Sequence, residues 1–143
     1  REHAASRDRL IVHYMQPHFP SIPRPIGHGS KFDNVWKGLM VGKHDSSEIW
    51  DSYVANLRYV LEHVETLLRN VDAENVVITA DHGNAKGEWG VYAHPLGVPI
   101  NCVKTVPWYT TTASDERTRQ PSVDRATETD QDVSERLEAL GYR

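Results

Sequence analysis

The chain has 143 residues, a net charge of −4, and 38% hydrophobic against 25% charged residues. That length fits one domain able to bury a core. The negative balance supplies no basic field for nucleic acid, and no apolar run is long enough to span a membrane. Cys102 is the lone cysteine, which excludes an intrachain disulfide and a cysteine-based zinc site. None of these quantities fixes a cellular location.

Residues 9–15 (RLIVHYM) carry an apolar run at Leu10, Ile11 and Val12 and predict a strand, with His13 packed inside it. The strand ends in QPHFPSIPRP. Prolines at 17, 20, 23 and 25 are incompatible with helix or central strand, so this stretch is expected to be an extended loop. Between Gly27 and Gly42 the loose spacing of Trp36, Leu39 and Met40 fits a short helix or an ordered loop.

Residues 46–69 give the clearest signal, a long amphipathic helix with Ser47 as its expected cap. Trp50, Tyr53, Val54, Leu57, Val60, Leu61, Val64, Leu67 and Leu68 form its apolar stripe; Arg58, Glu62, Glu65 and Arg69 face the other way, with His63 towards solvent. After a short turn, residues 76–79 (VVIT) lack polar alternation, the pattern of a strand buried on both faces in a parallel sheet. Strand, helix and strand in that order predict a crossover unit of an α/β fold.

Residues 98–112 hold two further short strand candidates, interrupted by Pro99 and Pro107. Residues 114–129 are polar and charged and predict a mobile loop. Residues 130–141 predict a terminal helix, with Val133, Leu137 and Leu140 on one face and Gly141 as its C-cap.

The chemistry concentrates after the VVIT strand. In open α/β sheets, ligands gather at the carboxyl ends of strands, and Asp81-His82-Gly83 falls there. A carboxylate and an imidazole together can hold a divalent cation, and mixed oxygen and nitrogen ligation suits zinc, manganese or iron better than a calcium cage. Gly83 would supply the backbone freedom that turns both side chains to one side. The competing reading is a plain turn after a strand.

His94, held extended by Pro95, is a second ligand or a donor to an anion; its alternative is a partly exposed loop histidine. His18, braced by prolines, suits contact with an anionic oxygen, or is a surface side chain. Glu88 and Trp89 are candidates for a pocket rim, although Trp89 could equally cover the core. Lys86 reads as solvated.

Taken in order, these residues resemble the alkaline phosphatase superfamily, and within it the sulfatase-like hydrolases. The resemblance rests on P-H-x-P at residues 17–20, a long helix with Tyr53 and Asn56-Leu57, and D-H-G at residues 81–83. A Gly-rich loop ending in His94, the T-V-P-W segment at 105–108 and L-x-x-L-G-Y at 137–142 complete it. It implies an α/β/α sandwich of which this chain forms the C-terminal part. It also implies metal-dependent hydrolysis of sulfate or phosphate esters with a divalent cation (Ca, Mg, Mn or Zn).

On that resemblance, Asp81 and His82 match the late metal-ligand pair, while His18 and His94 match histidines that contact the anionic ester. Asn84 departs from the glutamate common in sulfatases. D-H-G-N is similar to cofactor-independent phosphoglycerate mutases, so a phosphotransferase of that kind is the alternative, beside a non-catalytic binding domain of the same fold. The sulfatase C/S-x-P-x-R nucleophile motif does not occur in the chain, and Cys102 reads as a small packed residue. The nucleophile and remaining ligands are therefore expected from a preceding segment or another chain. The chain alone is expected to hydrolyse nothing and to associate with a partner.

Overall fold

A computed structural model describes residues 8–27 and 35–120. The terminal helix at 130–141 and the loop segment 121–129 lie outside the described residues. Helix α1 (Val35–Met40) and the long helix α2 (Ser46–Leu68) are followed by strand β1 (Ala73–Thr79), a small hairpin of β2 (Ala85–Lys86) and β3 (Tyr92–Ala93), the short helix α3 (Asn101–Lys104) and strand β4 (Trp108–Ala113). The architecture mixes helices with small antiparallel sheets; no α/β/α sandwich is formed by the described residues.

Helix α2 starts one residue before the expected cap. Asp45 is extended, and its carboxylate accepts from Ser47 N at 2.8 Å and Glu48 N at 3.3 Å. It thereby satisfies two of the four backbone donors that a helix start leaves without partners. The buried stripe also differs from the apolar spacing. Ile49, Ser52, Asn56 and Val60 are the buried positions, whereas Trp50, Leu57 and Leu61 are exposed.

The two polar members of that stripe hold the proline-rich loop. Ser52 Oγ donates to Arg24 O at 2.6 Å, and Ser21 Oγ donates to Ser52 O at 3.2 Å. Asn56 Nδ2 donates to His18 O and Asn56 Oδ1 accepts from Ile22 N, both at 3.1 Å. Proline offers no N–H, so the loop has few backbone groups of its own to pair; the helix supplies what they need. Gln16–Pro17 and Phe19–Pro20 are cis. The loop then delivers Ile26 to a core with Val35 and Ile49, lined by Phe19, Trp36 and Leu39. Each such fully buried aliphatic side chain contributes about 1.5–3 kcal/mol.

Residues 9–15 do not form a strand: Ile11 and His13 are exposed, and no ladder pairs them. Strand β1 exists but pairs antiparallel with β4, in the register Val76↔Thr111 to Thr79↔Trp108. The parallel crossover is therefore not seen, and Val77 is 44% exposed, so β1 is not covered on both faces. Of the two strands expected in 98–112, one forms as β4, and the earlier one is replaced by α3. Residues 114–120 are tied to the end of α2: Ser114 N reaches Leu68 O, Glu116 N reaches Arg69 O, and Arg69 pairs with Glu116 at 2.7 Å. This part of the expected mobile loop is anchored, because β4 places it beside the α2 C-terminus, where carbonyls need donors.

Candidate functional site

The β2–β3 hairpin builds one wall of the site. Its register pairs Ala85 with Ala93, which sets Asn84 and His94 opposite each other at the open end. Asn84 Oδ1 accepts from His94 Nδ1 at 2.8 Å, and Asn84 Nδ2 donates to Tyr53 Oη on α2 at 2.9 Å. Ala93, just before His94, has a positive φ of 62°. A non-glycine residue held there marks a locally strained backbone.

The turn between β1 and the hairpin carries Asp81 and His82. Asp81 Oδ1 accepts from His82 N at 3.0 Å, and Asp81 Oδ2 lies 3.6 Å from His82 Nε2. The turn thus holds a hydrogen bond between adjacent residues and a candidate ligand pair at once. Gly83 serves it sterically rather than through a left-handed backbone, since it is not among the positive-φ glycines. Gly83 N donates to Val103 O at 2.8 Å, and a Cβ on Gly83 would lie 2.1 Å from the Cys102 carbonyl oxygen. The turn is seated directly on α3.

Four side chains singled out from sequence meet here. The His82 and His94 rings are 3.9 Å apart between centroids, and His18 stands 6.2 Å from His94. Each ring uses Nδ1 towards an oxygen: His18 with Phe19 O at 2.5 Å, His82 with Gly83 O at 3.0 Å, His94 with Asn84 Oδ1. A carbonyl oxygen only accepts, so the network assigns the proton to Nδ1 and leaves Nε2 as the acceptor on all three. Metal-binding histidines are commonly oriented this way. Burial pushes the His94 imidazolium below its usual range, with His82 and His18 adding to the effect and Asp81 opposing it. Burial also raises the Tyr53 phenol; the Asn84 hydrogen bond opposes that, and Asp81 adds to it.

A separation of 3.6 Å between Asp81 Oδ2 and His82 Nε2 can be bridged by one cation bonded at about 2.0–2.2 Å to each. The donor chemistry fits a divalent metal, yet the pair stands short of a full shell. Among the described residues, no group of three or more His, Cys, Asp or Glu is gathered as a metal site requires.

Sequence reasoning did not foresee Asn84 as the partner of His94, with Tyr53 behind it, or Ser52 and Asn56 as buried. The signal for the latter was a polar pair at i, i+4 set into an apolar stripe. Trp89 does not cover the core: it is 92% exposed. Lys86 is exposed, as expected, and its Nζ lies 3.7 Å above the Trp50 ring. Comparison with family models, curated proteins and solved structures finds no match for this chain.

Proposed function

We propose that this chain contributes the metal-binding turn and anion-contacting histidines of a hydrolase acting on sulfate or phosphate esters. The observation that carries the reading is the convergence of Asp81, His82, His18 and His94 from three separate segments. His82 adjoins the Asp81 carboxylate, His94 adjoins His82, and His18 adjoins His94, each ring oriented through Nδ1. The α/β/α sandwich implied by the sequence resemblance belongs to the same proposal.

Asp81 and His82 would hold the cation, which would supply positive charge to a nucleophile and to the ester. His18 and His94 face the transferred group. Their Nε2 atoms accept when neutral and donate when they carry a proton. In that form they stabilise charge developing on the ester oxygens. Asn84 and Tyr53 fix the His94 ring in place. The nucleophile is assigned to a segment or chain other than the described residues.

Calorimetric titration with Ca, Mg, Mn and Zn tests the reading, in the presence and absence of inorganic sulfate or phosphate. Asp81→Asn and His82→Gln should each weaken cation binding by more than about tenfold. His18→Ala should weaken anion binding and leave cation binding unchanged. Cation affinity that is the same in wild type and Asp81→Asn would overturn the proposal.

A further inference from the structure

The hairpin that carries His94 ends in a tip that the site described above does not use. Its turn, Glu88–Gly90, is closed by Gly87 N to Val91 O at 2.8 Å and Gly90 N to Gly87 O at 2.9 Å. Trp89 sits there with φ 56°, between Gly87 at 121° and Gly90 at 74°. The result is an indole held out in water, 92% exposed, on a tightly bonded loop. Such backbone persists only where the surroundings over-determine it, and ligand clamps are one place where that occurs.

The indole borders a cleft of about 450 Å³ whose other walls are Glu88, Pro99, Ile100, Asn101 and Cys102, a volume within the roughly 300–1,000 Å³ of small-molecule sites. Cys102 joins this cleft to the candidate site, because Gly83 is seated on its carbonyl.

We propose that the Trp89 cleft binds a neutral sugar ring, the hydroxyl-bearing part of an ester whose anionic group lies at the histidines. The face of an indole is electron-rich, so it receives the C–H face of a pyranose. The Glu88 carboxylate accepts from sugar hydroxyls, and the Asn101 amide both donates and accepts. Glu88 also sets the sign of what can enter. Its carboxylate already accepts from Lys86 N at 2.5 Å, and that bond holds it ionised. A fixed negative charge beside the indole repels the sulfate or phosphate and favours the neutral end of the same molecule.

This inference rests on the ester reading for its second half only, and the test separates the two. Maltose, lactose and cellobiose are titrated into the protein, following the indole N–H resonances by NMR, with Trp89 assigned from Trp89→Phe. The Trp89 resonance should shift and saturate, and Trp89→Gly should weaken binding by about tenfold or more, roughly 1.4 kcal/mol. Glycine adopts the positive φ without steric cost, so the turn remains accessible to the variant. No shift with any sugar, shifts confined to Trp36, Trp50 or Trp108, or undiminished binding in Trp89→Gly would each overturn the proposal. Inorganic sulfate and phosphate are titrated in parallel. Anion binding lost in His18→Ala with no sugar binding retains the ester reading and discards the cleft; sugar binding without anion binding does the reverse.

Discussion

Gly83 is the residue on which the geometry of the site turns. Its seat against α3 leaves no room for a methyl group, since the obstructing atom is backbone and cannot rotate away. Gly83→Ala should therefore push the Asp81–Asn84 turn off α3 and strain the 2.8 Å bond to Val103 O. Overpacking of this kind costs about 1–3 kcal/mol, measurable as a lower denaturation midpoint, with a loss of whatever cation affinity Asp81 and His82 provide. A variant as stable as wild type would show that the turn can move freely. The tripeptide D-H-G was legible in the sequence, but its glycine was expected to matter for backbone angles. The actual reason, close approach to a helix roughly twenty residues onward, requires knowing which segments meet.

At the scale of elements, α2 is both scaffold and clamp. Asn56→Ala removes the donor to His18 O and the acceptor for Ile22 N. Each partly buried group left without a partner costs about 1–3 kcal/mol. The variant should lose stability on denaturant unfolding, and the His18 ring should lose its fixed position, seen as averaged imidazole resonances. Unchanged His18 resonances would mean that the prolines alone hold the loop.

The start of α2 carries a pH dependence. Hydrogen bonds from the Ser47 hydroxyl and from the Ser47 and Glu48 amides hold the Asp45 carboxyl below its usual range. A depressed folded value means the cap contributes fully above the unfolded value of about 3.9. The contribution is lost as pH falls through the depressed one. Asp45→Ala should thus lose helical signal at neutral pH relative to wild type, and the difference should narrow on strong acidification. A helix is a local structure, so α2 was readable from spacing and its cap missed by two residues. A strand is a relation between two segments. Residues 9–15 have strand composition but no ladder, and β1 found an antiparallel partner in β4 that its own sequence does not name.

For the whole molecule, the balance of covered and exposed apolar surface bears on activity. Ile11 is 91% exposed, Trp108 71%, and Tyr109 and Met15 both 62%. The two-stranded β1–β4 sheet leaves open edges among the described residues, which templates further pairing. Such unpaired edges favour association, so the chain should sediment with a concentration-dependent mass. The candidate site is short of partners in the same way: two metal-ligand candidates adjoin each other, whereas catalytic zinc sites hold about three protein ligands. A cation held by those two alone would lack the further ligands of a catalytic site. The chain alone should then give no turnover of an aryl sulfate or aryl phosphate with Ca, Mg, Mn or Zn, while still binding the cation through Asp81. On the proposed hydrolase reading, a completing partner should bring turnover that vanishes in Asp81→Ala. Turnover by the chain alone that disappears in Asp81→Ala would mean that it holds the complete site, with the nucleophile among its own residues.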